Sequence, residues 1–204
     1  DLDGTLIDSA PDLAAAANAM RAARKLPELP LARLRPMVGS GARGMLGVAL
    51  GAKPGDDGFE ALREEFLERY AAGLLDRTVI FEAMLPVLDA LDAHGLRWGI
   101  VTNKATRFAQ PVVDGLRLSA RAAVLVCGDT TPHSKPHPGP LLEAARRAGV
   151  LAQRCLYVGD DQRDMQAGLA AGIPTLAAAW GYLGQGEAIE AWGASAVLPE
   201  PAAL

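Results

Sequence analysis

From Phe59 to Leu74 the apolar residues recur at helical spacing. Phe59, Leu62, Phe66, Tyr70 and Leu74 share one stripe, with Glu60, Arg63, Glu64, Glu68 and Arg69 mostly on the other faces. This pattern predicts an amphipathic helix over 59–75. Nearer the start, Ser9-x-x-Asp12 with Pro11 between them reads as a helix start, and the Ala-rich run to Lys25 continues it. Residues 26–58 hold Pro27, Pro30, Pro36 and several glycines, so short helices and loops are expected there. A further helix is predicted over 84–94, stopped by Gly95.

Beyond Gly95 the pattern changes. Short apolar runs alternate with helical stretches: strands at Trp98–Val101, Ala123–Cys127, Cys155–Val158, Thr175–Ala179 and Ala196–Leu198, and helices at 105–117, 139–149, 162–171 and 187–192. Such alternation predicts an α/β fold, a Rossmann-like parallel sheet core with helices on both faces. Its binding crevice should open at the carboxyl ends of the strands.

Composition narrows this. Half of the 204 residues are apolar but only 5% are aromatic, so the core must be built from Ala, Leu and Val. The net charge of −4 offers no overall basic surface, and no nucleic-acid partner is expected. No apolar run is long enough to span a bilayer, and no signal peptide opens the sequence, so no membrane partner is expected. Two cysteines give no disulfide framework, and a cytoplasmic location is expected. A monomer or homodimer is expected.

Polar residues suited to phosphate chemistry follow each strand. Thr102, Asn103 and Lys104 follow one, Asp129 and then Lys135 the next, and Asp160, Asp161 and Asp164 a third. At the start stands Asp1-Leu2-Asp3-Gly4-Thr5, where an extended backbone would turn Asp1 and Asp3 to one face. Converging carboxylates repel one another, and a hard cation with oxygen ligands, Mg2+, relieves this. A Lys ammonium and a Thr hydroxyl can hold phosphate oxygens while one carboxylate attacks phosphorus and a second moves the proton.

Asp1-Leu2-Asp3-Gly4-Thr5-Leu6 resembles the first motif of the haloacid dehalogenase superfamily of phosphatases. Val101–Lys104 resembles the second motif, Lys135-Pro136 the third and Gly159–Asp164 the fourth, all in order. The resemblance implies a phosphomonoesterase with Asp1 as nucleophile and Asp3 as general acid and base. It implies that Thr102 binds phosphate with help from Asn103, and that Lys135 neutralises nucleophile and phosphate. It implies Mg2+ on Asp160, the Asp1 carboxylate and the Asp3 backbone carbonyl, with Asp164 as a further ligand and Asp161 a weaker one. The partner implied is a small-molecule phosphate ester. Within the superfamily, residues 134–147 and Trp180-Gly181-Tyr182 resemble the phosphoglycolate phosphatases. Trp98–Phe108, Phe66–Tyr70 and Ala191–Ala194 resemble the N-acetylmuramic acid 6-phosphate phosphatases.

Spacing places the specificity region. Thr102 to Lys135 is 33 residues and Lys135 to Asp160 is 25, about one strand-helix unit each, whereas Asp1 to Thr102 is 101. The excess is the helical region, read as a cap domain at 14–82 inserted in a core of 1–13 and 83–204. Its Gly-rich stretch Val38–Gly44 is the expected reading loop, with Ser40 and Arg43 as substrate-binding residues and Arg43 matched to a carboxylate.

Competing readings are weaker. A sugar phosphomutase needs extra basic cap groups, and the cap offers Lys25 and Lys53 but no histidine. A phospho-signalling receiver domain has no cap and lacks an acid two residues from its phosphorylated Asp. Thr102-Asn103 as a helix cap, Lys135 as a loop lysine and Asp161 as a helix-dipole partner are the bland alternatives. Only three histidines, two of them in a loop where they flank Lys135, argue against zinc. Every other site group follows an apolar strand, so about four to seven apolar residues are expected before Asp1 in the native chain.

Overall fold

The computed structural model describes residues 1–204. The first turn is built on Gly4, whose φ of +87° suits glycine and whose N–H donates to the Ile7 carbonyl at 2.9 Å. It leads into β1 (Ile7–Asp8) and then α1 (Ala10–Ala23). Next come α2 (Leu31–Leu34), a 3-10 turn over Arg35–Ser40, α3 (Gly41–Leu50) and α4 (Phe59–Ala71). The apolar faces of these helices share one core: Leu13, Ala17 and Met20 of α1, Met45 and Leu46 of α3, and Phe59, Phe66 and Tyr70 of α4. Full burial of a large apolar side chain contributes roughly 1.5–3 kcal/mol before entropy is subtracted.

The chain returns through β2 (Val79–Ile80), which pairs antiparallel with β1, and α5 (Leu85–Ala93). The rest alternates: β3 (Ile100–Val101), α6 (Thr106–Gly115), β4 (Leu125–Val126), α7 (Gly139–Ala148), β5 (Tyr157–Gly159), α8 (Gln162–Ala171), β6 (Thr175–Ala178) and β7 (Ala196–Leu198). β3 and β4 are parallel, with Ile100 opposite Leu125. β5, β6 and β7 form a second parallel set, with Val158 opposite Leu176 and Leu176 opposite Ala196. The Asp1 amine donates to the Val158 carbonyl at 2.7 Å, which sets the first motif beside β5. A core of Leu2, Ile7, Leu88, Ile100 and Val112 lies beneath it. No helix is long and apolar enough to cross a membrane.

The α/β class holds, but several expectations need correction. Strand pairing falls into three pieces rather than one continuous sheet, and strands are two to four residues long. α4 ends at Ala71, not 75, because the chain turns at Gly73, whose N–H donates to the Tyr70 carbonyl. The helix expected at 187–192 is only a 3-10 turn at Ile189–Ala191, set between the glycines 184, 186 and 193. Val38–Gly44 is not a loop: it ends the 3-10 turn and begins α3. Ser9 makes no side-chain cap on α1. Its hydroxyl donates to Asp3 instead, and the Asp12 carboxylate accepts from Thr78.

Candidate active site

Lys135 sits where the three later motifs meet, on the loop after β4, and is 4% exposed. Its ammonium donates to Asp1 Oδ1 at 2.9 Å, Tyr157 Oη at 2.7 Å and the Val101 carbonyl at 3.1 Å, and pairs with Asp164 Oδ1 at 2.7 Å. The Tyr157 hydroxyl donates in turn to the Val101 carbonyl at 2.8 Å. Asn103 braces the loop: its Nδ2 donates to the Lys135 carbonyl and its Oδ1 accepts the Lys135 N–H, each at 2.9 Å. One of the two Asn103 amide N–H groups is thus taken up by backbone, and Asn103 lines the same cavity as Thr102 and Lys135.

Carboxylate oxygens of Asp1, Asp160 and Asp164 lie within 4.8 Å of one another. Asp160 accepts from Thr5 Oγ1 and the Tyr182 N–H, both at 2.8 Å. Burial still pushes its carboxyl up to about 7, with Asp164's charge adding to the shift. Two buried acids with one ammonium between them are short of positive charge, and an all-oxygen donor set of this kind suits a hard divalent cation. Asp161 is not in this group. It caps α8, accepting from the Arg163 N–H, while Asp164 accepts the Asp161 N–H in return. The dipole-partner reading of Asp161 is therefore the one the geometry favours.

Asp3 faces a different set of groups. Its carboxylate accepts from Ser9 Oγ and from Lys104 Nζ at 2.8 and 3.1 Å. Burial pulls the Lys104 pKa down, but Asp3 outweighs this and the net shift is upward. Thr102 is buried, and its Oγ1 accepts the Lys104 N–H at 3.1 Å.

These groups line a cavity of about 500 Å³. Asp1, Asp3, Thr102, Asn103, Lys104, Lys135, Asp160 and Asp164 form its floor side, and Arg43, Phe59, Phe66 and Tyr70 of the helical region face it. Arg43 is among the residues that line this cavity. Ser40 does not line the cavity; it occupies the N-cap of α3 and packs against Gly44, where a Cβ would collide with its own.

The family model for haloacid dehalogenase-like hydrolases matches residues 1–178. The chain belongs to the haloacid dehalogenase-like hydrolases. It is 48% identical to a phosphoglycolate phosphatase of Xanthomonas campestris, covering 100% of this chain and 92% of that one. It is 42% identical to an N-acetylmuramic acid 6-phosphate phosphatase of Pseudomonas putida, again over 100% and 92%. The crystal structure of a predicted phosphoglycolate phosphatase from Haemophilus somnus superposes with a TM-score of 0.85 at 27% identity, covering 99% and 92%. The chain is a phosphatase of this superfamily.

Several residues of the phosphatase site were absent from the sequence reading. Lys104 was visible only as the polar residue two after Thr102, with nothing to pair it with Asp3. Tyr157 reads as a strand residue, Thr5 as part of the first motif without a role of its own, and Ser9 as a helix start. Arg163 links the two halves of the molecule: it holds Asp161 and donates to the Gly39 carbonyl ahead of α3. Nothing in its motif position announces a partner 124 residues away.

Proposed function

We propose that this phosphatase is a Mg2+-dependent phosphomonoesterase whose substrate is 2-phosphoglycolate, acting through a covalent aspartyl-phosphate on Asp1. The observation that carries this reading is the Lys135–Asp1 contact of 2.9 Å beside the acidic cluster, with Asp3 in the same cavity but on a separate cation. Asp160, Asp164 and Asp1 are the side chains that would hold Mg2+, with the Asp3 backbone carbonyl as the further donor expected from the sequence. The cation would supply charge neutralisation for the phosphate and the attacking carboxylate.

The chain's own groups divide the chemistry. Lys135 fixes the Asp1 carboxylate and faces the phosphate oxygens. The Thr102 hydroxyl is a phosphate donor at the end of β3. An Asp1 oxygen bonds phosphorus while the ester P–O bond breaks, and Asp3, having first taken a proton from solvent in place of one of its present donors, gives that proton to the departing oxygen. Asp3, now ionised, takes a proton from water as the water oxygen bonds phosphorus. The Asp1–phosphorus bond breaks, and phosphate leaves.

The Pseudomonas putida relative supports a second substrate, N-acetylmuramic acid 6-phosphate, and a cavity of about 500 Å³ has room for a sugar. Phosphate release from p-nitrophenyl phosphate should require a divalent cation and vanish in Asp1→Asn. Turnover that persists in EDTA or in that variant overturns the mechanism. Ranking the two metabolites by kcat/KM decides between the substrates.

A further inference from the structure

We propose that Lys104, backed by Tyr70, is the specificity determinant for a carboxylate that the leaving group carries next to its ester oxygen. The inference rests on Asp3 being the group that protonates that oxygen, as proposed above.

Lys104 Nζ lies 2.8 and 3.1 Å from the two Asp3 carboxylate oxygens. An ammonium has three donors, and two are directed at Asp3. The third makes no hydrogen bond of ordinary geometry, although the Tyr70 hydroxyl lies near enough to the ammonium to favour its charged form. The Tyr70 ring stands 4.9 Å from Nζ and holds the ammonium between the carboxylate and the aromatic face. Tyr70 comes from α4, is 2% exposed, and its hydroxyl is buried with no hydrogen-bond partner. Both side chains line the cavity that holds Asp1 and Asp3. Burial raises the Tyr70 pKa, which keeps the hydroxyl a donor at neutral pH.

An ester oxygen in contact with Asp3 lies about 2.5–3.0 Å from its carboxylate. A carboxylate joined to the ester carbon then begins two bonds further on. Its oxygens fall beside the cation that already touches Asp3, and the pairing is charge-assisted. 2-Phosphoglycolate has this arrangement. In a muramic acid 6-phosphate the carboxylate is remote from the reacting oxygen, and other cations that line the cavity, Arg43, Arg63, Arg107 and Arg163, are available for it. Lys104 thus selects for adjacency of the two groups, not merely for an acid.

The test compares 2-phosphoglycolate with ethyl phosphate, which keeps the two-carbon chain and loses only the carboxylate. Wild-type protein with Mg2+ should prefer 2-phosphoglycolate in kcat/KM. Lys104→Met should cut that preference roughly 10–100-fold, the loss of one charge-assisted contact. Tyr70→Phe, which removes one oxygen and leaves the ring under Lys104, should cut it about 3–10-fold, mainly through KM. Equal losses on both esters in Lys104→Met would mean that Lys104 only orients Asp3, and would overturn the inference. If Lys104→Met does not fold, Tyr70→Phe decides: a reduced preference supports the inference and an unchanged one overturns it. A wild-type protein that hydrolyses both esters equally well refutes the role of Lys104 while leaving the phosphatase reading intact. A wild-type protein that releases phosphate from p-nitrophenyl phosphate but from neither ester refutes the substrate reading, and this inference with it.

Discussion

Lys135 carries more of the site than its place in a Pro- and His-rich loop suggests. Its ammonium is the one cation in contact with both Asp1 and Asp164, and its side chain is 3% exposed. Removing one partner of a buried ion pair strands the other charge, which typically costs about 3–5 kcal/mol. Lys135→Met should therefore lower unfolding free energy by that order in urea melts with EDTA, and lower kcat on p-nitrophenyl phosphate roughly 10²–10³-fold. A variant that loses activity with no loss of stability would show that the acids find another counter-charge. Residues of this kind were legible in the sequence because their motifs are contiguous: Asp1 and Asp3, Thr102, Lys135-Pro136, Asp160 and Asp164. Ser9, Tyr157 and Tyr182 were not. A hydroxyl has no sequence signature of its own, and the groups they orient lie on other elements. Tyr182, for example, reaches across 174 residues to donate to Asp8 at 3.1 Å and accepts the Ser9 N–H at 2.9 Å.

At the scale of elements, helices were read more faithfully than strands. Helices α7 and α8 carry their own stop chemistry, a glycine in the left-handed region at each C-terminus. Asp161 and Asp164 form the capping box of α8, and Gly172 closes it with φ of +67°. Strands are fixed by pairing across the chain, so an apolar run such as Ala123–Cys127 contributes only Leu125–Val126 to the ladder with β3. Asp12 shows how an element-level expectation can name the right residue and the wrong task. In place of capping α1, its Oδ2 accepts from the Arg77 N–H at 3.1 Å, the Thr78 N–H at 2.8 Å and Thr78 Oγ1 at 2.7 Å. It ties the start of the first helix to the segment that leads out of the helical region into β2. Asp12→Ala leaves these donors without an acceptor and should cost about 2–3 kcal/mol in guanidinium melts. Asp12→Asn keeps one acceptor oxygen and should recover part of the loss. An Ala variant as stable as wild type would mean that water replaces the carboxylate.

The molecule as a whole is organised around the meeting of two apolar cores. We propose that residues 14–82 act as the cap, supported by the separate cluster of α1, α3 and α4 side chains over the site. Its edge is not sharp, since Ala10, Phe108 and Tyr182 pack into the same cluster. The acidic cluster sits beneath that seam and should govern the pH response of the whole fold. Asp160 has its folded carboxyl raised to about 7 by burial and Asp164, against an unfolded value of about 3.9. The native state thus holds a proton that the unfolded chain has released, so this group makes stability fall as pH rises from about 4 to 7. Asp161 and Glu143 have the opposite sign, because Arg163 and the Arg146–Arg147 pair offset burial and hold their carboxyls down, Glu143 to about 2. Their contribution is present above the ordinary carboxylate values of about 4–4.5 and is lost as pH falls below them. The N-terminal amine of Asp1, lowered to about 5 by burial and Lys135, has the opposite slope between about pH 5 and 8, so the Asp160 contribution is read as a difference: in EDTA the stability of wild type relative to Asp160→Asn should fall as pH rises from about 4 to 7. On the reading proposed above, Mg2+ would bind the native arrangement of ionised carboxylates, so its added stability should be larger at pH 8 than at pH 5. Denaturant titrations across this range with EDTA and with Mg2+ measure both slopes. A Mg2+ increment that does not change with pH, or one that survives in Asp160→Asn, would place the cation away from this cluster.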